Sequence, residues 1–410
     1  MDMFSFELPV IAWLLLATGF VVALLTVAFG LKPMRKAARF PNPSMPSPVE
    51  EDPGAEGNEE ETPAAKWPKA SVVVYADKDK EWIDACLEML DDQDYPDYEI
   101  IVVAETTAES AQTLAGSYAE THPRVHVTFM QPGSRSLSRR KLANTIGIKA
   151  ARGEVIVTTL CNARIPSRQW LRRIMAPFVD DNSVDVSLGF AHLDFSEMRG
   201  PRKWFRQFDS VLASCRWIGA AACGRPFRGD GANLAFRRSI FFDHKGYART
   251  INLHGGDDDL FISEISDGDN TRITVSPDSV VTLEYGGAAN RVWSIRKEHY
   301  SFTSRWLPKG PFVRSWLVTF AQWLAPLLLA AAALLALPSL VAAVAAAVIL
   351  LTFWGFEIAV YRAAASRLGA VRLWWSVPLF WLILPFSNMM FRYSQRNLRV
   401  KNFTWQRHKS

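Results

Sequence analysis

Ser71-Val72-Val73-Val74-Tyr75 is an uncharged run of branched and aromatic side chains, the pattern of a strand buried on both faces. Comparable runs return at Glu99-Ile100-Ile101-Val102-Val103, at 125–129 and at Val155-Ile156-Val157-Thr158-Thr159. The stretches between them predict helices over about 81–90, 108–119 and 142–151, with a further helix over 170–179. Strands that alternate with helices predict an α/β domain: a mostly parallel, Rossmann-like sheet with helices on both faces. Ligands of such sheets sit beyond the carboxyl ends of the strands. The loop after the first strand, Ala76-Asp77-Lys78-Asp79-Lys80, has no glycine. A dinucleotide turn needs glycines for close approach of the pyrophosphate, which argues against a nicotinamide dehydrogenase. A Walker-type phosphate loop is also absent.

Outward from this domain the composition changes. The chain has 410 residues and is 49% hydrophobic, and its apolar residues crowd toward both ends. Residues 8–31 are long and apolar enough to cross a bilayer core of roughly 30 Å. Basic residues follow that run (Lys32, Arg35, Lys36, Arg39), and no small-residue cleavage site stands out, so a retained anchor is expected over 1–31, with the downstream side cytoplasmic. Residues 32–69, rich in Pro, Gly and Glu, read as a linker that cannot bury a core. Residues 199–227 mix aromatics and arginines, which fits either an amphipathic segment on the membrane or a buried helix pair. Residues 291–315 read as an interfacial region. Spans are expected at 316–337 and 340–361 within an apolar region ending at 391. Pro378 and Pro385 predict a broken, re-entrant or interfacial last segment, followed by a basic cytoplasmic tail over 392–410. Glu357 lies inside a span and calls for a polar groove or a partner helix. Basic residues beside apolar ends point to a membrane surface rather than nucleic acid. Four cysteines without C-x-x-C spacing give neither a zinc site nor a disulfide framework.

One stretch carries the chemistry, His254-Gly255-Gly256-Asp257-Asp258-Asp259-Leu260. Two glycines permit a tight turn, and three carboxylates follow where a loop enters a helix. Crowded carboxylates raise one another's proton affinity, which suits a group that accepts a proton near neutrality. An acidic N-cap cluster on a solvated helix is the competing reading.

Taken with the alternating sheet and the apolar spans, several motifs resemble the membrane-bound family 2 glycosyltransferases over residues 70–306. Gln93-Asp94-Tyr95-Pro96-Asp97-Tyr98-Glu99-Ile100-Ile101-Val102-Val103 is similar to the family's Q-x-Y-P-x-x-E-I-I-V-V run. Lys141-Leu142-Ala143-Asn144 and Ala151-Arg152-Gly153-Glu154 resemble its K-x-x-x-L-N and A-x-G-E segments. The 229–236 stretch is similar to its G-x-x-x-N-x-A-F/Y loop, and Gly256-Asp257-Asp258-Asp259-Leu260 to its E-D-x-D-L motif.

The resemblance implies a cytoplasmic GT-A domain over 70–290 flanked by transmembrane helices. It implies inverting transfer from a nucleotide-diphosphate sugar to a lipid or glycan acceptor at a membrane, the plasma or inner membrane in a bacterium. Asp257 is the implied base, with Asp258 and Asp259 as competitors. Ala76, Asp77, Glu105, Lys141, Asn144 and Asn162 are the implied donor-side residues, and Asn233, His299, Arg305 and Trp306 the acceptor-side ones. His299 also fits a packed or surface residue, and Trp306 a bilayer-interface anchor. The family's nucleobase-reading Asp is replaced by Glu105. Its metal-binding D-x-D is replaced by Leu160-Cys161-Asn162, so Mg2+ or Mn2+ is left with Asn162 alone and metal-independent transfer stays open. Arg139, Arg140 and Arg164 then join Lys141 as candidate counter-charges for a leaving diphosphate, against a solvated basic face. Only the end of Q-x-x-R-W remains, as Arg305-Trp306. A relative without activity, scaffolding glycan assembly, is the second reading.

Overall fold

The computed structural model describes residues 3–45, 66–76, 80–105, 116–131, 137–179, 181–253, 255–336, 340–371 and 373–396. Asp77, His254, most of the linker, most of the helix expected over 108–119 and the basic tail from 397 lie outside the described residues. The chain divides into two compact units, one of 1–40, 198–223 and 293–397, the other of 41–197, 224–292 and 398–410.

The second unit holds the sheets. Its strands are β1 (Ala70–Ala76), β2 (Tyr98–Glu105), β3 (Val125–Met130), β4 (Val155–Leu160), β5 (Ala163–Arg164), β6 (Val186–Leu188), β7 (Ala191–Leu193), β8 (Leu234–Arg237), β9 (Thr271–Ile273) and β10 (Val281–Leu283). The main sheet has seven strands in the order β3-β2-β1-β4-β8-β6-β9. β1 runs parallel to β2 and β4, with Val74 opposite Val102 and Thr159. β8 is the antiparallel strand, set between β4 and β6. A smaller sheet, β5-β10-β7, accompanies it.

Every residue of β1 and β2 is buried, as uninterrupted apolar runs require when helices cover both faces. The motif residues ahead of β2 are largely structural. Gln93 donates to Met89 O and Ser167 O and accepts from Leu171 N, at 2.9, 3.1 and 3.0 Å. Glu99 Oε1 accepts from Ser71 Oγ at 2.6 Å and from Arg152 N at 2.5 Å, which ties the Ala151–Glu154 turn to β1 and β2.

The first unit is helical. Its segments are Met3–Leu25, running on as a π turn over Thr26–Gly30, then Lys32–Ala37, Gly200–Ala221, Lys309–Leu335, Leu340–Arg367 and Val377–Arg396. It also contains helix Ala289–Thr303 from Trp293 onward. Among the described residues, three stretches are long and apolar enough to cross a membrane: Val10–Gly30, Lys309–Leu335 and Leu340–Arg367. Leu14, Phe29, Leu327, Leu334, Leu340 and Leu351 are exposed on them, the surface a lipid phase would cover.

Glu357 meets a partner helix, where Gln322 Nε2 donates to its Oε1 at 2.6 Å. Residues 200–221 form one helix rather than a pair. Gly219 lets it approach Pro33, whose carbonyl oxygen would lie 2.0 Å from a Cβ at that position. The last apolar segment is continuous through Pro385. Pro378 falls in its first turn, where proline removes no helical hydrogen bond. The interruption precedes the helix, in a 3-10 turn over Trp374–Ser376.

Candidate functional site

Two glycines aim the acidic stretch. Gly255 and Gly256 have φ of +107° and +85°, where other residues are strained. The chain then enters helix Asp259–Ile265 through Asp258, whose Oδ1 accepts from Asp259 N at 2.8 Å. Asp258 is thus the cap, and the three carboxylates have different surroundings. Asp259 is fully buried, with its Oδ1 accepting from Leu260 N at 2.8 Å and its Oδ2 3.5 Å from Arg228 Nη2. Asp258 is half-buried. Burial, then the Asp257 and Asp259 charges, push its carboxyl up to about 7, with Arg140 pulling the other way. Asp257 is buried with its Oδ2 2.8 Å from Arg140 Nε, an ionic contact. No hydrogen bond reaches that oxygen from the described residues.

The loop before β8 closes against these acids and fixes them to the open end of the sheet. Thr158 Oγ1 and Thr159 Oγ1, near the end of β4, donate to Gly231 O and Ala232 O, each at 3.0 Å. A Cβ on Gly231 would stand 3.0 Å from Arg140 Nη2 and 3.3 Å from Asp257 Oδ2, so any side chain there would crowd both groups. Adjacent arginines link the acids to the donor-side strand ends. Arg140 meets Asp257, while Arg139 pairs with Glu105 at the end of β2. Tyr75, at the end of β1, donates its hydroxyl to Glu105. Ala76 closes β1 and is fully buried.

Lys141 lies beneath this layer, fully buried, with Nζ donating to Thr250 O at 2.7 Å. Burial lowers its pKa to about 8, opposed by the charges of Asp257, Asp259 and Asp258. Its ammonium is a counter-charge to the acids from inside the fold. Tyr247 hydroxyl donates to Asp257 O at 3.4 Å, and burial raises its pKa. Asn144 bonds to the same tyrosine, so it supports the acidic turn from below.

Two expected site residues prove to be internal struts. Asn233 is fully buried: its Nδ2 donates to Phe190 O at 2.8 Å and to Ser279 O at 2.6 Å, and its Oδ1 accepts from Trp170 Nε1 at 3.1 Å. Its amide is committed inside the sheet unit. Asn162 is buried too, and its Nδ2 donates to Glu284 O at 2.6 Å. Cys161 packs into the hydrophobic core, and Leu160 packs partly buried against it. The Leu160–Asn162 segment therefore offers no carboxylate where a diphosphate-bridging cation would need one, and its residues do not fit such an ion. Among the described residues no group of three or more His, Cys, Asp or Glu side chains has metal-ligand spacing. Nearby Glu284 faces Arg164, with Nε 3.4 Å from its Oε1.

His299, Arg305 and Trp306 belong to the helical unit. There Arg305 lies over the Phe302 ring at 5.1 Å, Trp306 packs edge-on to the same ring, and the Trp306 side chain is exposed. Sequence reasoning missed Arg228 and Tyr247. Arg228 directly precedes the glycine-bounded loop, a place where a charge so near a buried acid turn was a usable signal. Tyr247 stands in no recognisable pattern.

A family profile described as Glycosyl transferase family 21 matches residues 60–248. No curated protein sequence matches the chain. Among solved structures, the mannosyltransferase PcManGT from Pyrobaculum calidifontis, in complex with GDP-Man and Mn2+, is similar over 93% of this chain and 99% of its own, with 21% identity and a TM-score of 0.52. TarS 1–349 of S. aureus in complex with UDP is similar over 62% of this chain and 70% of its own, at 15% identity and a TM-score of 0.39. Glucosyl-3-phosphoglycerate synthase from Mycobacterium tuberculosis, with Mn2+, UDP and glucosyl-3-phosphoglycerate, is similar over 59% and 82%, at 14% identity and a TM-score of 0.38.

Proposed function

We propose that the chain is a glycosyltransferase of the GT-A type that transfers a sugar, with inversion, from a nucleotide-diphosphate sugar to a lipid or glycan acceptor held at a membrane. The acceptor oxygen attacks the anomeric carbon, and the bond from that carbon to the diphosphate breaks. The hydroxyl proton passes to Asp257, and the diphosphate leaves with the bonding electrons. The observation that carries this reading is Asp257 Oδ2, a buried carboxylate oxygen beside Arg140 that no hydrogen bond occupies among the described residues.

Arg139 and Arg140 supply the positive charge for the departing diphosphate. They stand between Glu105 and Asp257 and exchange those carboxylate contacts for phosphate oxygens when the donor binds. Asp259 and Lys141 hold the acidic turn. The basic residues after the first apolar stretch, Lys32, Arg35, Lys36 and Arg39, favour a catalytic unit on the cytoplasmic side. Three membrane-length helices in the same chain favour an acceptor that is itself membrane-bound.

GDP-mannose is the first donor to test, since the similar mannosyltransferase was solved with GDP-Man. Purified full-length protein should show a raised thermal midpoint with one nucleotide-diphosphate sugar, because a ligand that binds the native state stabilises it. Donor turnover should survive EDTA, as the donor chemistry of Leu160–Asn162 requires. Loss of turnover on chelation, restored by Mn2+, would contradict the arginine assignment.

A further inference from the structure

We propose that the helical unit contains a binding site for a phosphate-bearing group, built from Arg206, Arg216, Lys297 and Asp209 with Tyr361 and Trp381 beside them. The proposal uses the helical unit alone and does not depend on the base or donor assignments above.

Helix Gly200–Ala221 brings Arg206, Asp209 and Arg216 to one face, since residues three and seven apart align along a helix. Helix Ala289–Thr303 adds Trp293 and Lys297. Both oxygens of Asp209 are taken. Lys297 Nζ donates to Asp209 Oδ1 at 2.8 Å, and Trp293 Nε1 donates to Oδ2 at 3.1 Å. Arg206 stacks over the Trp293 ring at 3.7 Å from its centroid. Asp209 thus draws on Arg216 and Lys297 while both its oxygens are already bonded.

The unsatisfied atoms around this cluster point the same way. Arg216 Nη2, Trp381 Nε1 and Tyr361 hydroxyl are each buried without a hydrogen-bond partner among the described residues. Arg216 and Trp381 are neighbours, with the guanidinium 5.8 Å from the centre of the Trp381 ring, and Tyr361 packs on the far partner of that ring, Phe208, whose centroid is 5.9 Å from Trp381 and 5.1 Å from Tyr361. All three can donate, so what they lack is an acceptor. Burial also lowers the Arg216 guanidinium to about 10, against the pull of Asp209. Lys297 is lowered by burial and then by the charges of Arg216 and Arg206, despite Asp209. A buried excess of positive charge is costly unless an anion offsets it.

Phosphate fits this shortage best. Guanidinium groups present forked donors that match its oxygens, the ammonium adds a point charge, and a phosphate monoester carries about −1.5 to −2 at neutral pH. The apolar surround of Phe208, Phe380 and Phe391 suits a group carried on a lipid. A lipid headgroup and free phosphate share this chemistry, and the experiment separates them.

The full-length protein in neutral detergent is titrated with short-chain phosphatidic acid, with the matching diacylglycerol and with inorganic phosphate, and its unfolding midpoint is followed. Phosphatidic acid should raise the midpoint of wild type and diacylglycerol should not. Arg216→Gln should weaken the apparent affinity about tenfold, the loss of one charge-assisted hydrogen bond. Inorganic phosphate raising the midpoint as strongly as phosphatidic acid would support a soluble phosphate as the ligand; no response to it would support the headgroup. Should Arg216→Gln not fold, Lys297→Gln and native mass spectrometry of wild type with bound phosphatidic acid give the same reading. Equal shifts in wild type and variant, or an equal shift with diacylglycerol, would overturn the site. Donor turnover measured in parallel keeps this result separate from the transferase reading, because Arg216 has no part in that machinery.

Discussion

The two units of this chain bury charge in opposite proportion. In the sheet unit, Asp257, Asp258, Asp259 and Asp230 gather around Arg140, Lys141 and Arg228. In the helical unit, Arg206, Arg216 and Lys297 gather around Asp209. Near-balance with a slight acidic excess raises one carboxylate and leaves another with an oxygen held only by an ionic contact to Arg140, which a proton acceptor can exchange. A basic excess leaves donors without acceptors, which is what an anion site needs. The proportion of acid to base, more than the presence of charge, separates a proton-handling cluster from an anion-holding one.

That contrast breaks first at the ion pair beneath the acids. Arg228→Met strands a fully buried carboxylate, and removing one partner of a buried pair costs about 3–5 kcal/mol. Chemical denaturation of the sheet unit's signal in the full chain should register this loss, whereas Arg164→Ala, at a pair whose arginine is 63% exposed, should cost under about 1 kcal/mol. Similar costs for the two would mean that the Arg228 pair is not held as a buried pair.

A smaller effect sharpens the comparison through pH. The Asp258 carboxyl sits near 7, above its ordinary 3.8, so it is protonated in the fold at mildly acidic pH. As pH rises through 7 it ionises, and the added negative charge beside Asp257 makes that residue a stronger base. Activity should therefore rise through pH 7, then fall above about 8 as Lys141 loses its proton. Asp258→Asn should flatten the acid limb and leave the alkaline one. Stability follows the opposite sense for Asp258: a raised carboxyl contributes most below pH 4, and the contribution is lost as pH climbs to 7. Lys141, lowered from 10.5, costs stability below about 8, and that cost fades as pH rises toward 10.5. An unchanged acid limb in Asp258→Asn would detach Asp258 from the chemistry.

Much of the fold was legible because β1, β2 and β4 are continuous apolar runs, the signature of strands covered on both faces. Strands of three residues, such as β6, β7, β9 and β10, leave no periodicity to read. The acidic turn was legible through its glycines and crowded carboxylates, but the division of labour within it was not. Which of three adjacent aspartates caps, which pairs and which has an oxygen held only by an ionic contact depends on Arg140 and Arg228, both distant in sequence. Asn233 shows a related limit. A motif residue in a site loop looks the same whether its amide faces a substrate or, as here, Trp170, Phe190 and Ser279. Arginines and aromatics at 199–227 fitted a membrane surface or a buried helix pair equally, while the placing of Asp209 against Trp293 and Lys297 came only from tertiary packing.

The central claim is that Asp257 takes the acceptor's proton. Its most direct test is kcat/KM of Asp257→Asn with whichever nucleotide sugar stabilises the wild type, alongside the variant's affinity for that donor and its unfolding midpoint. A loss on the order of 10²–10⁴-fold, with donor affinity and folding retained, is the predicted result. Turnover equal to wild type in a folded variant would contradict it.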